Sequence, residues 1–227
     1  MKNNKLLILI VLAIFAVIVI LFVSPMIIHG EKPDVKQYKI LIDAEEARLF
    51  LLEDNKLMKS YPIAIGKYST PSPLGYFKIV SKSIWGGGFG TRWMGLNVPW
   101  GSYGIHGTNR PGSIGWAASH GCFRMRNNDV EELYSMVQVG TPVVVYGGQY
   151  GLMGDGYRNL SPGDRGSHVL AVQEKLKQMG YYKGKLDGIY GRGMEDAVLK
   201  FKLDNGLTYN KNIDETTYIS LGLKLFE

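Results

Sequence analysis

Two hydrophobic periods meet at one glycine-rich stretch of this 227-residue chain, and that meeting constrains its fold more than any other feature. Before Gly147-Gly148 the apolar residues come in short, turn-bounded runs of extended character: 38–42, 48–52, 57–65, 76–80, 96–98, 103–106 and 142–146. After Gly156 they recur at helical spacing, as in Val169, Val172, Leu176 and Met179, then Met194, Ala197, Val198 and Phe201. The first pattern predicts a mainly β domain over 36–147, antiparallel for the most part and closed as a sandwich or barrel. The second predicts a small all-α three-helix bundle over 159–227, its third helix capped by Asp214. Residues 148–158 read as a Gly-rich linker. One helix is expected inside the β domain, with Asn128 as cap and Glu131 three positions on. Trp85-Gly86-Gly87-Gly88-Phe89-Gly90 reads as a flexible loop with aromatic contacts, of the kind that forms lids.

The first 35 residues form a third region. Residues 6–23 are continuously apolar, a run of about 27 Å as a helix, and Met26-Ile27-Ile28 extends it towards about 34 Å. A transmembrane helix is therefore expected. Lys2 and Lys5 precede the run, which predicts a single-pass signal anchor with the remaining chain outside the cell membrane. The alternative is secretion after signal cleavage, but the run is long for a signal peptide and no small-x-small site follows it. No cysteine lies near the run, so lipid attachment is excluded. The net charge of +6 is scattered rather than striped, which argues against nucleic acid and fits an anionic envelope polymer.

The chain has one cysteine, Cys122, in Ser119-His120-Gly121-Cys122-Phe123-Arg124, and His106-Gly107 lies sixteen residues upstream. Outside a membrane a lone thiol has no disulfide partner in its own chain. A free thiol is mostly protonated near neutrality, and an imidazole beside it can take the proton and return it to a leaving amine. His106 ends one expected strand and Cys122 begins another. The Gly107 carbonyl is placed to orient the imidazole. Gly121 allows a tight turn whose amides would face a developing oxyanion. Arg124, two residues on, shares the Cys122 face in extended backbone and could hold a carboxylate. His120 and Ser119 would line the groove or order the loop. Zinc on His106, His120 and Cys122 lacks a fourth soft ligand and the usual spacings, so no metal and no cofactor is expected. A serine hydrolase lacks its G-x-S-x-G element.

The stretch from Ile105-His106-Gly107-Thr108 to Ser119-His120-Gly121-Cys122-Phe123-Arg124-Met125 resembles the signature of the L,D-transpeptidase (YkuD-like) catalytic domain. Asn127, Asn128, Asp129 and Val130 resemble the start of that family's following helix, and Thr70-Pro71-Ser72-Pro73-Leu74-Gly75-Tyr76-Phe77 its T-P-x-G-x-F turn, with one residue added. The resemblance implies attack by Cys122 on a peptidoglycan stem tetrapeptide, with His106 as base and acid and Gly107 as its orienter. D-alanine would leave, and an amine of a neighbouring stem would resolve the thioester into a 3→3 cross-link. Arg124, Gly121, His120 and Ser119 would bind substrate or oxyanion, and carbapenems would acylate the cysteine. Water or a free D-amino acid as acceptor would give carboxypeptidase or exchange activity. A wall-binding protein without catalysis is the reading from a different class. Leu160, Gly163, Gly166, Gln173, Gly180-Tyr181-Tyr182 and Asp187-Gly188-Ile189-Tyr190-Gly191 are similar to the three-helix peptidoglycan-binding domain, which implies contact with cell-wall glycan. Met194 and Lys202 depart from its usual pattern.

Overall fold

A computed structural model describes residues 37–147, 151–154 and 156–225. The expected membrane anchor and spacer (1–35) lie outside the described residues, as do positions 148–150 and 155 of the glycine-rich stretch. Among the described residues no helix is long and apolar enough to cross a membrane.

The first part is one curled sheet. Its strands are β1 (Tyr38–Asp43), β2 (Arg48–Glu53), β3 (Lys56–Pro62), β5 (Gly75–Ile84), β6 (Arg92–Leu96), β7 (Tyr103–His106), β9 (Phe123–Arg124) and β10 (Pro142–Tyr146). They follow the order β3-β2-β1-β10-β5-β6-β7-β9, and β4 (Ile65–Gly66) pairs separately with β8 (Ala117–Ser119). The expected antiparallel character holds for the hairpins, but β1–β10 and β7–β9 are parallel. Among the described residues the strands form this eight-stranded curled sheet and one two-stranded sheet, with no continuous ladder joining β3 to β9. The chain leaving β3 instead reaches the far edge of the sheet, where Ala64 exchanges backbone hydrogen bonds of 2.8 and 2.9 Å with Arg124. That bridge satisfies the exposed side of β9, which would otherwise be an unprotected edge.

Alternation fills the hollow of the curl. Ile40, Ile42, Leu49, Leu51, Ile79, Met94, Ile105, Phe123 and Val143 are all buried in one core. Helix α1 (Asn127–Met136) closes it with Val130 and Leu133. The predicted cap is corrected: Arg126 holds the N-cap position, and no side chain caps the first turn. The expected strand at 96–98 starts earlier, at Arg92, because Trp93 and Met94 alternate across the sheet as β6.

The second part has three helices, α2 (Ser167–Gln178), α3 (Arg192–Asp204) and α4 (Glu215–Ser220), around Val172, Leu176, Val198, Phe201 and Tyr218. Asp214 caps α4 as predicted, accepting from Thr217 N at 2.9 Å. Lys202 is buried, with Nζ donating to Asn210 Oδ1 (2.8 Å) and the Asn212 carbonyl (2.6 Å), so this departure from the usual pattern serves the fold. Gln173 fixes the glycine-aspartate loop by donating to Asp187 and accepting from Gly188 N.

Residues 37–227 form one compact unit. Ser167 Oγ both accepts from Leu74 N (2.8 Å) and donates to Leu74 O (3.2 Å), a buried clasp between the β part and α2. Gly188 lies against the Trp100 indole so closely that any Cβ there would collide with the ring. Within the glycine-rich stretch, Leu152 packs on the first core and Met153 enters the second, so its described residues pack as well as connect.

Candidate active site

The pairing of β7 with β9 decides which side chains meet. In register, Ile105 faces Phe123 and His106 faces Arg124. Ile105 and Phe123 are 0% exposed and point into the core. Side chains alternate along a strand, so His106, Cys122 and Arg124 project together from the opposite face. Cys122 falls beside Gly104, whose backbone hydrogen-bonds the thiol. The two strands thus bring the sequence-predicted thiol, imidazole and guanidinium to one surface.

His106 is 3% exposed. Its Nδ1 lies 2.5 Å from the Gly107 carbonyl. A carbonyl only accepts, so Nδ1 carries the proton and the neutral ring keeps its lone pair on Nε2. The orienting role expected of Gly107 therefore has its geometry. Burial is the main influence on this imidazole and holds its pKa below the ordinary range; the Gly107 carbonyl opposes it, Arg124 adds to it, and the Phe89 backbone opposes it. Burial likewise pushes the Cys122 thiol up, partly offset by the Gly104 hydrogen bond and the Arg124 charge. Both shifts run against a thiolate–imidazolium pair and towards an uncharged thiol and an uncharged imidazole.

An aromatic wall surrounds His106, and sequence reasoning missed its central member. Trp93 stacks on the imidazole at 5.6 Å and 26° between ring planes. Phe89 meets the imidazole edge-on at 5.0 Å. Trp85 stacks in turn on Trp93 at 5.3 Å. The segment expected to be a flexible lid delivers two of these rings, Trp85 and Phe89, and carries a 3-10 turn at Gly87–Phe89. The available signal was the β6 alternation, since Trp93 is the direct partner of His106 across the β6–β7 pair.

The turn before Cys122 is held by Ser119, whose Oγ donates to Cys122 O (2.6 Å) and accepts from Gly121 N (2.9 Å). This corrects one expectation: the Gly121 amide is engaged within the turn and is not free for an oxyanion. Gly121 has φ +113°, and a Cβ there would lie 2.5 Å from the Tyr103 ring, so glycine is required for two reasons. His120 is exposed and lines a cleft shared with Lys67 and Thr70. Among the described residues no group of three or more His, Cys, Asp or Glu side chains could hold a metal.

Asn127 is a second residue that sequence reasoning left without a role. Its Oδ1 accepts from Thr108 N (3.2 Å) and Thr91 N (3.3 Å), tying the loop after His106 to the loop before β6. Both Gly90 and Gly107 pack against this oxygen too closely to carry a Cβ. Replacing Asn127 with alanine strands two partly buried amides and is expected to cost about 1–3 kcal/mol. It should also lower kcat more than it raises KM, because the Gly107 carbonyl loses its anchor. Asn127→Asp keeps the acceptor and should restore most of both. Thermal unfolding with steady-state kinetics checks this, and an unchanged kcat in Asn127→Ala would separate the residue from the site.

Residues 37–145 match the family described as "L,D-transpeptidase catalytic domain". Residues 165–221 match the one described as "Putative peptidoglycan binding domain". A Bacillus licheniformis protein named "Putative L,D-transpeptidase YkuD" is 47% identical over 114 residues, covering 50% of this chain and 68% of the relative. Its Bacillus subtilis namesake is 47% identical over 109 residues, covering 48% of this chain and 65% of the relative. The B. subtilis "Putative L,D-transpeptidase YqjB" is 32% identical over 143 residues, covering 56% and 81% respectively.

Proposed function

The chain belongs to the L,D-transpeptidase catalytic-domain family, and on that premise we propose that it cross-links peptidoglycan through an acyl-thioester on Cys122. The observation that carries the reading is the common face of Cys122, His106 and Arg124, with Nδ1 of the imidazole tied to Gly107. As Cys122 Sγ bonds to the carbonyl carbon of a stem tetrapeptide, His106 Nε2 takes its proton. The Cys122 amide, rather than that of Gly121, donates to the oxyanion, and Arg124 lies beside the developing charge. Collapse breaks the C–N bond, and the imidazolium returns the proton to the departing D-alanine amine. A stem amine then gives its proton to Nε2 and attacks the thioester, and Cys122 leaves and is reprotonated. One amide is broken and one made, so no external energy source is needed.

The part spanning 165–221 is proposed to hold the enzyme on peptidoglycan, and the apolar run at 6–23 to hold it at the outer face of the cell membrane. The test is digestion of tetrapeptide-stem muropeptides by the full chain, with products identified by mass. A cross-linked dimer with loss of one D-alanine is expected. Trimmed tripeptides alone would make water the acceptor, and unchanged substrate would overturn the enzyme reading.

A further inference from the structure

A cleft of about 980 Å³ lies between the β part and the helical part. One wall is the turn carrying Lys67, Tyr68 and Pro71, together with Tyr103 and His120; the other carries Arg158, Arg165 and the first turn of α2. One end reaches the reactive thiol's turn, for the Tyr103 ring and the Pro71 carbonyl both pack against Gly121. The walls are fixed to each other by the Ser167–Leu74 clasp and the Trp100–Gly188 contact.

Its charge is unbalanced. Lys67, Arg158 and Arg165 line it against a single carboxylate, Glu45, and none of the three cations forms an ion pair among the described residues. Arg158 is pre-positioned: its guanidinium lies over the Tyr68 ring at 4.5 Å, and Nη1 donates to the Tyr68 carbonyl at 3.3 Å. Its Nε is buried without a hydrogen-bond partner. Arg158 lines the cleft, and a carboxylate is the ligand whose two oxygens fit a guanidinium's fork of donors. Gly166, at the N-cap of α2, brings no side chain to the amides of that first turn, which adds positive potential on the same side.

We propose that this cleft binds a carboxylate of a peptidoglycan stem peptide, with Arg158 and Arg165 of the helical part completing the substrate site of the β part. The proposal rests on the transpeptidase reading and extends it: the helical part selects substrate as well as tethering the enzyme. The carboxylate belongs either to the stem that acylates Cys122 or to the stem that supplies the amine, and the two sources differ in which half-reaction they affect.

The experiment uses the full chain, wild type against Arg165→Gln and the Arg158→Gln/Arg165→Gln double variant, with melting temperatures as the folding control. Arg165 is exposed and is expected to leave stability unchanged, so it remains informative if the double variant is destabilised. Losing one or two charge-assisted hydrogen bonds should lower kcat/KM for a tetrapeptide muropeptide by about 10-fold or more. Acylation by a carbapenem, too small to span the cleft, should stay within about 2-fold. A slower acylation by the muropeptide assigns the carboxylate to the donor stem, whereas normal acylation with slower transfer assigns it to the acceptor. With stems whose carboxylates are amidated, wild type and variants should converge. Equal loss on carboxylate and amidated stems, or no loss on either, overturns the proposal. Binding of the same stem to a Cys122→Ala background reads the cleft without chemistry. There a wild-type cleft that binds no more tightly than the Arg165→Gln cleft also overturns it, whereas failure of Cys122 to acylate would sink only the transpeptidase reading.

Discussion

Cys122→Ala is expected to abolish thioester formation and cross-linking, with a fall in turnover of about four orders of magnitude or more. No other residue can take over, because Cys122 is the chain's only cysteine. The folded state should barely notice. Cys122 is partly exposed, its turn is held by backbone and Ser119 contacts that alanine keeps, and the expected cost is about 1 kcal/mol or less. The separation of the two effects is what makes the test sharp. Intact-mass measurement after carbapenem treatment should show one adduct on the wild type, mapped to Cys122, and none on the variant. Cross-linking retained by a well-folded Cys122→Ala protein would remove the thiol from the mechanism. Cys122→Ser keeps a hydroxyl where the sulfur was, and is expected to be nearly as inactive, since the neutral imidazole must then deprotonate a much weaker acid.

The proposed nucleophile has a local sequence signal: a lone cysteine after a glycine, an arginine two residues on, and a histidine-glycine pair upstream. Alternation likewise made the hairpin strands readable, and Asp214 announced the cap of α4. What was hidden is non-local. Nothing in residues 38–43 or 142–146 states that β1 and β10 run parallel, since a parallel partner is chosen by the curl of the whole sheet. The same applies to Ala64, whose bridge to Arg124 joins residues sixty positions apart in the chain. The aromatic wall was half visible: Trp85 and Phe89 were marked as contacts, but glycine-rich spacing suggested mobility, and the anchoring ring, Trp93, lies on a strand read too late in the chain. Asn127 was passed over in favour of its neighbour because capping rules look only along the helix. Its oxygen instead serves two loops that sequence distance separates from it by 36 and 19 residues. The Gly121 amide was misassigned for a related reason, since the Ser119 hydroxyl reaches it only once the turn is folded.

His106 sets the second large effect, and its sign follows from the burial of the ring. His106→Ala should lower the acylation rate by about 10²–10⁴-fold, the usual worth of a positioned general base. In the wild type only the neutral imidazole can accept the thiol proton. Burial holds the imidazole below its ordinary value of about 6.5, so activity should stay level through neutrality and fall only at more acidic pH, one proton being taken up. The thiol is shifted the other way, mainly by burial, so alkylation of Cys122 by iodoacetamide should accelerate only at a pH above the ordinary range of a free thiol. An alkylation profile with its inflection well below pH 7 would mean a resting thiolate–imidazolium pair and would overturn the general-base sequence. Stability carries the same signature independently of turnover. As pH falls through about 6.5 the unfolded chain protonates this histidine before the folded one does. The His106 contribution therefore weakens stability on acidification and is absent above that range. In His106→Gln this part of the acid sensitivity should disappear, so the difference in melting temperature between variant and wild type should change between pH 7 and pH 5. A constant difference across that interval would show that the buried imidazole is not the titrating group, and would leave the acid limb of the activity profile to another residue.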